Sequence, residues 1–187
     1  MRLSRQEEFE EVAMVHSKSL LRTASRLCRE RPEAEDLVQE TLLRAWRAFE
    51  QYQPGTNCKA WLFRIMLNLA AKRSQQERRI PALNSLEEMT EWNKMPAAPA
   101  VSSFGESNVH AALEAMPEEH RVVLLLAVVE GFTCKEMGKI LEIPVGTVMS
   151  RLSRARVGLR QRLLELERAR YAPPIRAAAP GGGGMIQ

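Results

Sequence analysis

A proline- and glycine-punctuated stretch at residues 80–106 most constrains this chain. It holds Pro81, Pro96, Pro99, Gly105 and the small-residue run "MPAAPAVSSFG". Proline removes a backbone donor and clashes with the preceding helical turn, so no long helix crosses this stretch. A short helix near Ser85–Trp92 is the most it is expected to hold. The chain is therefore read as two helical blocks, 5–79 and 107–170, joined by a flexible linker at 80–106. The end, "APPIRAAAPGGGGMIQ", lacks the apolar content to fold, and 171–187 is expected to be a disordered tail.

Composition agrees with an all-α chain of two small domains. Of 187 residues, 45% are hydrophobic and only 5% aromatic. Leu, Ala, Glu and Arg dominate, and alternating β-branched runs are scarce. The net charge of +4 is too small to name a polyanionic partner, so the placement of the charges decides. The cysteines, Cys28, Cys58 and Cys134, show no CxxC spacing, and none of His16, His110 and His120 sits at ligand spacing from them. Reduced thiols, no metal and no cofactor are expected, in a cytoplasmic protein. The start "MRLSRQEEFEEV" is acidic too early for a signal peptide. The apolar run Val122–Val129 is too short to span a bilayer, so no membrane insertion is expected.

In the first block, Pro32 suits a first helical turn, with Glu33, Glu35 and Asp36 at its positive end. Leu37, Val38, Thr41, Leu42, Ala45, Trp46 and Phe49 then recur at three- and four-residue steps and predict a buried stripe. "QPGTN" breaks the chain, and Asn57 can cap the next helix. That helix carries Trp61, Leu62, Ile65, Met66 and Leu69 on one side, and its far end turns basic with Lys72, Arg73, Arg78 and Arg79.

In the second block, Ser107 is expected to cap a helix bearing Val109, Ala112, Leu113 and Met116. Pro117 starts another, and Gly131 ends it. Thr133 and Glu136 have capping-box spacing, in which hydroxyl and carboxylate each satisfy a free backbone N–H. A short helix 134–141, the turn "EIP" and a basic helix from Val145 complete a helix-turn-helix. A major groove about 12 Å wide admits one helix, read by residues near its N-terminus. Gly146 keeps that start slim, Thr147 and Ser150 offer hydroxyls, and Arg151, Arg154 and Arg156 can reach phosphates or guanine edges. Val148 and Leu152 are expected to face inward.

"DLVQETLLRAW", "GTNCKAWLFRIMLN" and "GFTCKEMGKILEIPVGTVMSRLSRAR", in this order and spacing, resemble the extracytoplasmic-function (ECF) class of bacterial sigma factors, of the sigma-70 family. The resemblance spans about residues 5–165. It implies that 5–79 is region 2, which binds core RNA polymerase and recognises and melts the −10 element. It implies that 107–170 is region 4, which reads the −35 element. Polymerase contacts then fall on Asp36, Gln39 and Glu40, bordered by Leu42 and Trp46, although Trp46 also continues the apolar spacing. The −10 contacts fall on Tyr52, Asn57, Asn68, Lys72, Arg73 and Gln75. The −35 contacts fall on Gly146, Thr147, Met149, Ser150 and Arg154, with Arg151 and Arg156 on phosphates.

Three positions depart from the family pattern. Lys72 stands near a common acid, Met149 where a polar or basic residue is frequent, and Glu142 where glycine is frequent in the turn. The resemblance further implies an anti-sigma factor as partner and a monomer when free. Two other readings are weighed. A stand-alone helix-turn-helix regulator would dimerise on paired half-sites, but no long heptad is present. An enzyme on nucleic acid would need a catalytic cluster. HExxH and GxxxxGK[ST] are missing, and "GGGG" follows no strand.

Overall fold

The computed structural model describes residues 4–78 and 106–171, and all the regular elements among them are helical. The expected short helix at Ser85–Trp92 and the tail lie outside the described residues. The N-terminal domain has α1 (Arg5–Val12), α2 (Ser17–Leu27), α3 (Arg31–Arg47) and α4 (Cys58–Arg78). The C-terminal domain has α5 (Glu106–Glu114), α6 (Glu118–Val128), α7 (Cys134–Leu141) and α8 (Val145–Tyr171). Short 3-10 turns follow α1 and α3, at Met14–His16 and Phe49–Gln51.

Local chemistry explains most boundaries. At the start of α1, Ser4 and Glu7 form a capping box that no sequence pattern had been read for. Pro32 lies in the first turn of α3, as its spacing predicts. The Asn57 side-chain carbonyl accepts the Ala60 N–H at 3.0 Å, so Asn57 caps α4. The α5 helix already begins at Glu106, so Ser107 sits in its first turn and is not its cap, contrary to expectation. Thr133 and Glu136 close the capping box of α7.

Leu20, Leu37, Thr41, Ala45, Leu62 and Met66 are fully or nearly fully buried and build the N-terminal core. Thr41 hides its hydroxyl by donating to the Leu37 carbonyl at 2.7 Å. Val123, Leu126, Met137, Ile140, Val148 and Ala155 build the C-terminal core. The two cores join. Helix α4 packs on α7, and α2 on α5 and α6. Phe63 of α4 meets Phe132 edge-to-face at 5.3 Å, with both rings buried.

The helix-turn-helix depends on one close approach and one strained residue. A Cβ on Gly138 would lie 3.1 Å from the Ile143 carbonyl oxygen and 3.3 Å from Val145 Cγ2, so glycine lets the turn fold back over α7. Glu142 ends α7 in the left-handed region, φ 55° and ψ 39°. For a residue with a Cβ this costs roughly 1–2 kcal/mol. Its 3.7 Å pairing with Arg64 is exposed on both sides and recovers little. Glu142→Gly is therefore expected to stabilise the chain by about 1 kcal/mol in urea unfolding. A destabilised variant would refute the strain argument.

Candidate nucleic-acid interface

Three surfaces carry the residues that the sequence singled out. The first is α3. Asp36 and Gln39 are exposed and Glu40 is half-buried on the same side of the helix, next to Leu43, an exposed apolar residue that the sequence reading passed over. Glu40 Oε1 accepts Arg44 Nη2 at 2.7 Å, and Oε2 accepts Arg73 Nη2 of α4 at 2.8 Å. The Arg73 hydrogen bond is the main influence holding the Glu40 carboxyl below its ordinary value; burial opposes it, and Arg44 adds to the lowering. Leu42 is half-buried against the core. Trp46 meets Phe9 edge-on at 5.2 Å, with the Arg5 guanidinium 4.7 Å over its ring. Its apolar spacing thus translates into packing.

The second surface is the loop before α4 together with the far end of that helix. Tyr52 lies nearly parallel to Phe49 at 5.7 Å and tilted against Trp61 at 5.3 Å. Its hydroxyl donates to the Thr56 carbonyl at 2.8 Å. The ring is built into the domain rather than free to stack. Asn57 is exposed, but both ends of its amide are engaged. The oxygen caps α4, and the nitrogen donates to Glu136 Oε1 in the other domain at 2.9 Å. Asn68, Lys72 and Gln75 are exposed along α4, while Arg73 is held by Glu40. A shallow hollow of about 200 Å³ opens between Glu40, Arg44, Leu69, Lys72 and Arg73. At the other end of α4, next to Asn57, burial pushes the Cys58 thiol up to about 11, so it offers no thiolate for chemistry.

The third surface is the start of α8. Val148 and Leu152 are buried, as expected, and turn the opposite face outward. Met149 is 58% exposed there, with Gly146, Ser150, Arg154 and Arg156 also exposed and Thr147 half-buried. The Ser150 hydroxyl donates to the Thr147 carbonyl at 3.0 Å. Arg151 is the exception. It is paired with Glu119 of α6 at 2.6 Å, so it must exchange a carboxylate for any phosphate. His120, buried beside Glu119, is held below its ordinary value mainly by burial; the Glu119 charge opposes this, while Arg154 and Arg151 add to it. Burial thus favours the neutral imidazole. Sequence spacing gave no sign of it.

Cations thus face outward from two separate domains, with a carboxylate face on α3. No cluster of three or more metal-ligating residues occurs among the described residues, and no described helix is long and apolar enough to cross a membrane.

Comparison with known proteins supplies a frame. Residues 13–80 match the family Sigma-70 region 2, and residues 106–159 match Sigma-70, region 4. The chain is 35% identical over 162 residues to the ECF RNA polymerase sigma factor SigE of Mycolicibacterium smegmatis, covering 83% of this chain and 61% of that protein. It is 36% identical over 153 residues to the ECF RNA polymerase sigma factor EcfG of Rhodopseudomonas palustris, covering 80% and 83%. Among solved structures, it is similar to the sigma factor RpoE of Bartonella quintana in complex with the anti-sigma factor NepR. There the TM-score is 0.68 at 28% identity, over 86% of this chain and 99% of the other.

Proposed function

This chain belongs to the ECF class of the sigma-70 family, and from that premise we propose that it binds core RNA polymerase and directs promoter-specific initiation. It acts as a specificity subunit in the cytoplasm, not as an enzyme. The observation that carries the reading is the match of both regions, in order, on one helical chain whose α8 bares a basic N-terminal face. A stand-alone regulator would need only the second region.

The roles are assigned accordingly. Residues 5–79 form region 2 and 107–170 form region 4, with 80–106 as linker and 171–187 as tail. Asp36, Gln39 and Glu40 offer polymerase an acidic face, with Leu42 and Trp46 behind it. Asn57, Asn68, Lys72, Arg73 and Gln75 serve the −10 element. Separated strands need cations along the backbone and amides at base edges, and this set supplies both. Tyr52 supports that loop by packing. Gly146, Thr147, Met149, Ser150 and Arg154 face the −35 bases, and Arg151 and Arg156 the phosphates. Met149 cannot make a bidentate guanine contact, so a different base preference is expected beneath it. The similar sigma factor solved with an anti-sigma factor supports a protein inhibitor of the same kind here, in a stress or envelope response.

The test is transcription by purified core polymerase over a promoter library, with and without this protein. Promoter-dependent transcripts are expected only with it. Their absence across the library would remove the proposal.

A further inference from the structure

The two domains meet at a buried carboxylate. Glu130 follows α6, and its side chain is fully buried. Its side-chain partners among the described residues all belong to the N-terminal domain. Thr23 donates its hydroxyl to Oε1 at 2.8 Å. Arg22 donates to the same oxygen through Nε and Nη2 at 3.2 and 3.0 Å. Lys59 Nζ stands 2.9 Å from Oε2 and also donates to the Glu130 backbone carbonyl at 2.9 Å. The same ammonium lies over the ring of Phe132 at 5.0 Å and of Phe63 at 5.8 Å.

Further contacts cross the same seam. Asn57 donates to Glu136, and Ser74 donates to Glu118 at 3.1 Å. Burying an ion pair gains little net stability, because the desolvation of both charges offsets their attraction. Its effect is on register: a misaligned approach would leave a buried charge without a partner. The Phe63–Phe132 contact supplies attraction that has no such directionality. Together they specify one closed arrangement.

We propose that Glu130 is an intramolecular lock, which holds the free protein closed with Asn57 against Glu136 instead of DNA. Opening the lock is then a step in reaching the promoter. That consequence rests on the −10 role of Asn57. The lock itself does not.

Small-angle X-ray scattering on the full-length chain tests it. Wild type is expected to scatter as one compact particle. Glu130→Lys sets a cation against Lys59 and Arg22 and is expected to raise the radius of gyration. Lys59→Glu is expected to do the same, and Glu130→Lys combined with Lys59→Glu and Arg22→Glu to restore the wild-type value, because Arg22 as well as Lys59 faces position 130. Helix content by circular dichroism is read in parallel. Where Glu130→Lys loses helix content, Glu130→Gln replaces it, read by hydrogen exchange over residues 57–64. Exchange there is expected to speed by about tenfold, the scale of one lost hydrogen bond to a charged group. Compact single variants with intact helices, a fully charge-swapped variant that stays expanded, or unchanged exchange in Glu130→Gln would overturn the lock. Restored compaction in a protein that directs no transcription would keep the lock and remove the promoter reading.

Discussion

Replacing Phe63 with alanine is expected to destabilise the chain by about 3–5 kcal/mol, the usual loss for a buried aromatic ring. The residue is fully buried, and its ring is one wall of the seam between the domains. Truncation removes its contact with Phe132 and leaves a void beneath the Lys59 ammonium. Urea unfolding of the full-length protein measures this. The pairing of Phe63 with Phe132 can be isolated by a double-mutant cycle with Phe132→Ala. Its coupling is expected at about 0.5–1.5 kcal/mol, as for other edge-to-face rings. A loss under about 1 kcal/mol for Phe63→Ala would mean that the ring is not held between the two domains.

Arg154→Ala is expected to weaken promoter binding by about 1–3 kcal/mol at a single −35 position if the guanidinium reads a base edge. Arg154 is exposed on the outward face of α8, one turn beyond Ser150. Unlike Arg151, it has no carboxylate to give up in the described structure. Binding of the polymerase holoenzyme to promoters varied one base at a time separates the two possible contacts. A base contact gives a loss confined to one position. A phosphate contact gives an equal loss on every sequence and a salt slope shallower by about one. No loss on any sequence would take Arg154 out of the −35 surface.

What the sequence made legible was local. The α7 capping box, the Asn57 cap, Pro32 in the first turn of α3 and the inward Val148 and Leu152 all follow from spacings of four residues or fewer. The structure repeats them. Glu142 was marked too, as standing where the family often has glycine, and the structure gives the reason in its left-handed backbone. Helix α1 went unread because only Phe9 and Val12 mark it, whereas α2 carried a legible signal, Leu20, Leu21 and Leu27 at helical spacing, that was passed over. The Ser107 cap placed the start of α5 two residues too late, an error typical of helix ends.

The seam between the domains could not be read at all. Periodicity tells which face of a helix is buried but not against what. Glu130 still left a trace: an acid closing the apolar run "VVLLLAVVEG", where exposure would have been the ordinary expectation. The candidate surfaces divide in the same way. Asn68, Lys72, Gln75, Met149 and Arg154 are as open as their polar or basic settings suggested. Trp46, Arg73 and Arg151 have partners from distant parts of the chain, which no short pattern encodes, whereas Tyr52 is held by its near neighbours Phe49, Thr56 and Trp61.

Glu40 is shared property. One of its oxygens is held by Arg44 of its own helix, the other by Arg73 of α4. A cation from outside that claims this carboxylate leaves the Arg73 guanidinium uncompensated on the neighbouring helix, where an anion is then the favoured replacement. By linkage, an anion that first draws Arg73 away makes Glu40 a stronger acceptor for the cation, and by the same factor. Two surfaces on different helices, one acidic and one basic, are therefore not independent: occupation of either raises the affinity of the other through one 2.8 Å bond.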